Sequence, residues 1–379
     1  MKITFNTRAL ARALSIVGRA TAGRAANPLH RSVLFEAEDG RLRLSATDAE
    51  IALVLLCKAK VEEKGRAALG AKTITELLKA LPEGEATLAS SKEEATLTGG
   101  ASEYALRLYD ADHFPNIEEE PEKAAPSFTI SSEELQNTLG RVSTCVSHDA
   151  TRPVLTGVLL SFSGERARMV ATDSYRMALC ETDRAGSNAE QPISRIIPAR
   201  AASEALALAR LSGEARVALG ENHAFFRAGS VLLASRLIAG QFPDYQSLLP
   251  EAFEREYMLR REPFKKALSR IALLSDGVQM PVPVKLAFEK DKLTLSLYSA
   301  EAGRAREELY AETDRGEGAF EVCFNPEYLV AATRVIAGEK LSLKANGALQ
   351  PVILEGEGGS MRYLAMPMKD PCANDSGKE

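Results

Sequence analysis

The chain repeats itself. Ile3-Thr4-Phe5-Asn6-Thr7-Arg8-Ala9-Leu10 continues to Leu14 and Val17; Phe128-Thr129-Ile130-Ser131-Ser132-Glu133-Glu134-Leu135 continues to Leu139 and Val142; Tyr257-Met258-Leu259-Arg260-Arg261-Glu262-Pro263-Phe264 continues to Leu268 and Ile271. The three align without gaps, 125 residues apart (3 to 128) and then 129 (128 to 257). Each predicts a short strand, a polar helix start and an amphipathic helix with apolar residues at i, i+4 and i+7. The register persists: Arg41-Leu42-Arg43-Leu44-Ser45-Ala46-Thr47-Asp48 matches Arg166-Ala167-Arg168-Met169-Val170-Ala171-Thr172-Asp173, again 125 residues on (41 to 166), with Lys292-Leu293-Thr294-Leu295-Ser296 as the third counterpart. These alternate as half-buried strands do. A second helix is predicted at 72–81, 199–211 and 326–336, and a Phe-Pro turn recurs at Phe114-Pro115-Asn116 and Phe242-Pro243-Asp244. The expected fold is α+β, with three copies of one unit at 1–120, 127–251 and 252–368, each long enough for its own core. A polar tail at 369–379 is expected to be disordered.

Composition narrows the function. The 379 residues carry a formal net charge of −5, which argues against a uniformly basic nucleic-acid binder but leaves room for a local cationic face. The longest apolar run, 51–57, is far too short for a membrane span, and no signal peptide is read at the N-terminus. The 5 cysteines, Cys57, Cys145, Cys180, Cys323 and Cys372, are scattered, as expected of reduced thiols in a cytoplasm. The sequence lacks a phosphate-binding glycine loop, a dinucleotide fingerprint and a nucleophile elbow. His30, His113, His148 and His223 have no metal-ligand spacing. No catalytic residue, metal or cofactor is expected. Asp48 and Asp173, at equivalent places in two repeats, read as a structural turn.

Three segments carry a specific resemblance: Ala171-Thr172-Asp173-Ser174-Tyr175-Arg176-Met177-Ala178, Gln241-Phe242-Pro243-Asp244-Tyr245, and the closing Met366-Pro367-Met368. In order and spacing the chain resembles the bacterial DNA polymerase III beta subunit, the replicative sliding clamp, from the N-terminus to Met368. The resemblance implies three DNA-clamp domains per chain. Two chains would form a head-to-tail homodimer, a six-domain ring with helices inside and sheets outside. It implies a processivity factor that encircles duplex DNA without sequence specificity. Its partners would be the polymerase III alpha subunit, the clamp loader, other polymerases and repair proteins, bound through short linear motifs.

Candidate DNA contacts follow from helix geometry and from the resemblance. At about 100° per residue, Leu10, Leu14 and Val17 share one side of the first helix, and Arg8, Arg12 and Arg19 fall within about 40° of one another opposite. Lys265, Lys266 and Arg270 lie away from Phe264, Leu268 and Ile271. The second repeat is weaker, with Gln136, Asn137 and Arg141. By resemblance, Arg24 and Arg152 match DNA-touching positions, and Lys72, Arg200 and His148 are further candidates. Such contacts to phosphate suit sliding, since they carry little sequence information.

By resemblance, the partner-peptide pocket comprises Leu155, Thr172, Ser174, Tyr175, Arg176, Met177, Pro243, Ser247, Leu248, Pro351, Leu364, Met366, Pro367 and Met368, with Asn325 and Tyr328 at the rim. Met, Leu and Pro walls accept varied apolar side chains. Ser247 stands where the best-known relatives carry a basic residue, and Ser174-Tyr175 replaces a commoner Gly-His pair. At the dimer interface the resemblance puts Tyr104 against Leu273 and Leu274, with Glu301, Glu307 and Glu308 as acidic partners. Read without the DNA function, the same triplicated fold serves as a non-catalytic scaffold that encircles nothing; a hydrolase with an unrecognised site is the remaining class.

Overall fold

The computed structural model describes residues 1–23, 25–117, 125–183, 186–187, 192–275 and 282–370. Each repeat opens as its pattern predicts. Strand Lys2–Asn6 runs into helix Thr7–Val17, whose first turn is capped by the Asn6 side chain accepting from the Ala9 amide. Strand Arg255–Arg260 likewise runs into helix Arg261–Ala272. The aligned apolar positions are all buried: Leu10, Leu135 and Phe264; Leu14, Leu139 and Leu268; Val17, Val142 and Ile271. The second helices span Ala71–Ala80, Ala199–Ala209 and Pro326–Val335.

The first helix of the central repeat departs from expectation. It is α-helical over Ser132–Leu135 and then widens to π geometry over Gln136–Gly140. Thr138 and Leu139 are buried in this turn, and π turns are rare and frequent at functional sites. A second correction concerns Arg19. Helix Thr7–Val17 ends before it, and Arg19 lies in the 3₁₀ turn Gly18–Ala20.

Sheet pairing explains why three repeats make two compact units. Unit 1 comprises Met1–Leu135 with Ala185–Leu237, and unit 2 comprises Gln136–Arg184 with Ile238–Glu379. In unit 1, strand Ile51–Lys58 of the first repeat pairs antiparallel with Val231–Arg236 of the second, inside a 14-stranded sheet. In unit 2, Arg176–Thr182 of the second repeat pairs antiparallel with Met361–Ala365 of the third. The central repeat is therefore divided: its strands Gly157–Ser163, Arg166–Thr172 and Arg176–Thr182 lie in unit 2 and its other strands in unit 1. The internal likeness extends to burial: Arg41–Thr47 and Arg166–Thr172 share the same order of exposed and buried positions, as do Ser32–Glu38 and Gly157–Ser163.

Besides the strands that end each sheet, a long inner strand in each unit is paired on one side alone over part of its length. In Ser102–Tyr109, only Leu108 and Tyr109 reach the neighbouring strand Gly65–Gly70, so 102–107 pair on one side alone, with Glu94–Gly99. In Gly303–Arg315, residues 303–310 pair only with Lys292–Ser299, and the partner on the other side begins at Ala311. Both open segments alternate in exposure, as strands with one covered face do.

Candidate functional site

The surface of unit 2 marked by the sequence is built on the hairpin turn after strand Arg166–Thr172. The Thr172 hydroxyl donates to the Arg176 carbonyl (2.8 Å) and accepts from the Ser174 amide (3.1 Å). One carboxylate oxygen of Asp173 accepts from the Tyr175 and Arg176 amides, both at 3.0 Å, and the other from Arg176 Nε at 2.9 Å. Ser174 takes a left-handed conformation (φ 80°) to close the turn. The result throws Tyr175 outward, 59% exposed, and holds Arg176 inward with its guanidinium 4.9 Å from the centre of the Tyr328 ring. Asp173 is thus a structural turn residue that also positions Arg176, a role that sequence analysis did not assign to it.

The closing segment is tied to this turn. The Met366 amide donates to the Tyr175 carbonyl (2.8 Å), and the Met368 amide donates to the Cys323 carbonyl (2.7 Å). Pro367 between them is half-buried, like both methionines. Leu364 lies opposite Met177 in the strand pair. Leu155, Met177 and Leu364 are buried and form underlying support, as does Thr172. Asn325 is buried too, its side-chain oxygen capping helix Pro326–Val335 by accepting from the Glu327 amide (3.0 Å). In the Phe-Pro turn, Phe242 and Tyr245 are buried edge-to-face, and Arg168 of strand Arg166–Thr172 donates to the Tyr245 hydroxyl (3.2 Å). This anchor leaves Pro243, Ser247 and Leu248 exposed, Leu248 by 45%. Pro351 is half-buried ahead of strand Val352–Gly356.

Arg152 belongs with this group by geometry. It donates to Ser174 Oγ (2.8 Å) and pairs with Asp149 (2.9 Å). The sequence placed it among DNA contacts; nothing in its spacing reveals the Ser174 bond, which closes 22 residues downstream.

The other proposed cations divide by their partners. Arg12, Lys72 and Lys266 are exposed and pair with no carboxylate among the described residues. Arg8 pairs with Glu83 (2.7 Å) across two exposed side chains, and Lys265 pairs with Glu262 (3.6 Å). Arg19 pairs with Glu204 (2.8 Å), and Arg200 with Asp48 while also donating to the Arg19 carbonyl (3.2 Å). Arg19 and Arg200 therefore knit unit 1 together. Arg141 donates to Asn137 (3.1 Å), and Arg270 is held by both oxygens of Glu307. His148 is exposed, and Arg24 lies outside the described residues.

Of the proposed interface residues, Leu273 is 69% exposed at the end of helix Arg261–Ala272, while Leu274 and Tyr104 are half-buried. Tyr298 on Lys292–Ser299 and Tyr310 on Gly303–Arg315 are exposed and were not singled out from sequence, although alternation along both strands carries the signal. Of the acidic partners, Glu307 is engaged by Arg270, and Glu308 by Lys292 (3.2 Å) and Arg306 (2.8 Å), while Glu301 is exposed.

Among the described residues no cluster of His, Cys, Asp and Glu has the arrangement to hold a metal ion. Cys57, Cys145, Cys180 and Cys323 are free thiols, and burial pushes Cys57 and Cys145 up to about 11, away from nucleophilic use. No helix among the described residues is long and apolar enough to cross a membrane.

Comparison with known proteins resolves the class. The family models for the N-terminal, central and C-terminal domains of the DNA polymerase III beta subunit match residues 1–118, 129–244 and 246–369. The chain belongs to the DNA polymerase III beta subunit family, the beta sliding clamps. It is 30% identical to the beta sliding clamp of Synechococcus elongatus, over 97% of this chain and 99% of that one. The crystal structure of the DNA polymerase III subunit beta from Pseudomonas aeruginosa matches with a TM-score of 0.91 at 27% identity, covering 98% and 100% of the two chains. A sliding clamp from the same organism bound to griselimycin matches with a TM-score of 0.89 at 27% identity, over 98% and 100%. The clamp fold that the resemblance implies, built on three α+β repeats, is the fold of this family.

Proposed function

We propose that two copies of this chain close head to tail into a six-domain ring around duplex DNA, with helices facing the hole and sheets outside, and that the ring tethers the replicative polymerase without catalysing a reaction. The observation that carries the reading is the pair of open strand edges, 102–107 in unit 1 and 303–310 in unit 2, on a chain of this family. An unpaired edge is a template for another strand. Two different edges on one chain make a heterologous joint, which yields a ring when the rotation closes. Tyr104 on one edge and Leu273 and Leu274 near the other supply apolar contact. The Glu307 and Glu308 carboxylates have internal partners, so edge pairing and apolar burial hold more of the joint than ion pairs do.

Within the ring, Arg12, Lys72 and Lys266 are the DNA contacts that no carboxylate competes for, and Arg8 and Lys265 support them. Retention comes from topology, so these contacts need only be weak. The Tyr175–Arg176–Met366 surface binds short linear peptides of the polymerase alpha subunit, the clamp loader, other polymerases and repair proteins. The ring acts in the cytoplasm.

Charge reversal tests the DNA face. Arg12→Glu, Lys72→Glu and Lys266→Glu, singly and combined, weaken binding to duplex DNA in fluorescence anisotropy across a salt series. The slope of log affinity against log salt falls by about one per phosphate contact removed. An unchanged slope in the triple variant would contradict the assignment.

A further inference from the structure

Unit 1 contains a second copy of the turn on which the unit 2 surface is built. The turn Thr47-Asp48-Ala49-Glu50-Ile51 stands 125 residues before Thr172-Asp173-Ser174-Tyr175-Arg176 (47 to 172) and repeats its bonds. The Thr47 hydroxyl donates to the Ile51 carbonyl (2.8 Å) and accepts from the Ala49 amide (3.1 Å). Asp48 accepts from the Glu50 and Ile51 amides, both at 3.0 Å. Ala49 (φ 78°) takes the left-handed conformation of Ser174. Next, the Arg236 amide donates to the Glu50 carbonyl (3.0 Å), as the Met366 amide donates to that of Tyr175 (2.8 Å). Arg236 therefore occupies the place of Met366. Ala52 lies opposite Ala234, as Met177 lies opposite Leu364, and Pro115 follows the buried Phe114 as Pro243 follows the buried Phe242.

The substitutions between the copies have a physical consequence. Two alanines in place of Met177 and Leu364 leave a cleft of about 390 Å³ floored by Ala52, Ala234 and Phe225 and walled by Pro115 and Ile117, a volume in the range of ligand sites. Its mouth carries Arg236 and His223. Glu50, the one acid there, has the Arg200 guanidinium at 3.9 Å. Arg236 is exposed and pairs with no carboxylate among the described residues. An apolar floor beside a free guanidinium is complementary to a carboxylate next to an apolar side chain.

We infer that this unit 1 cleft is a second peptide-binding site, selective for a short linear segment that places an acidic residue beside a bulky apolar one. The inference rests on the peptide-binding reading of the unit 2 surface. The chain has 0 tryptophans, so a tryptophan-bearing peptide reports its own binding by emission. The full-length chain is titrated with acetyl-Glu-Leu-Trp-amide and with its uncharged counterpart acetyl-Gln-Leu-Trp-amide. Two classes of site per chain are expected. Arg236→Glu weakens one class about tenfold or more for the acidic peptide and much less for the uncharged one, while Leu248→Glu, on the exposed unit 2 surface, leaves that class intact. Ala234→Leu, which restores the side chain found in the other copy, closes the cleft, with a thermal melt to confirm folding. If Leu248→Glu removes all binding, or Arg236→Glu changes nothing, the second site is overturned and the unit 2 reading stands. If Arg236→Glu removes the only class, the unit 2 reading falls and this site stands. If neither peptide binds the wild-type chain, both are overturned.

Discussion

Deleting residues 366–379 lowers the affinity for a clamp-binding peptide by about a hundredfold or more, with the fold retained. A large loss is expected because Met366 and Met368 are hydrogen-bonded to Tyr175 and Cys323, with Pro367 between them. Central apolar anchors at such interfaces cost about 2 kcal/mol or more each when removed, and about 2.8 kcal/mol is a hundredfold. The fold survives because the last strand, Met361–Ala365, ends before the deletion and keeps both of its sheet neighbours. Isothermal titration calorimetry with circular dichroism as a folding control checks both halves of the claim. Unchanged affinity in a folded deletion would remove the pocket assignment.

The double variant Leu273→Ala, Leu274→Ala shifts the protein from dimer to monomer. Leu273 is 69% exposed in the single chain, and covering a leucine contributes about 1.5–3 kcal/mol. Ring closure uses the joint twice, so each substitution counts twice in a dissociation to monomers. An increase of about a thousandfold or more in the dimer dissociation constant follows. High salt adds little, because the ion pairs of Arg270 with Glu307 and Lys292 with Glu308 lie within one chain and are exposed. Sedimentation velocity over a dilution series reads the shift; wild-type affinity in the variant would contradict the placement.

Local pattern carried most of the fold. The i, i+4, i+7 spacing located the buried stripes of the repeated helices, and the matched Asp48 and Asp173 announced one turn used twice. What local pattern does not encode is long-range pairing. That Ile51–Lys58 joins Val231–Arg236, and Arg176–Thr182 joins Met361–Ala365, depends on contacts more than a hundred residues apart. This pairing divides the central repeat between two units. The candidate sites were legible to the same extent. A helical projection identifies an outward-facing arginine but not the carboxylate that meets it, so Arg12 remains available while Arg19 and Arg200 are taken up by Glu204 and Asp48. For the same reason the spacing of Arg152 does not reveal its bonds to Ser174 and Asp149. The π segment at Gln136–Gly140 has no distinctive spacing, since Leu135, Leu139 and Val142 fit an ordinary helix equally well.

The central claim is topological, and retention on DNA tests it most directly. The protein is loaded on nicked circular duplex DNA, the circle is purified by gel filtration at a salt concentration that dissolves phosphate contacts, and half of the sample is linearised with a restriction enzyme. A ring stays with the circle and runs off the linear ends. Equal retention on both forms, or loss from both, would contradict encirclement.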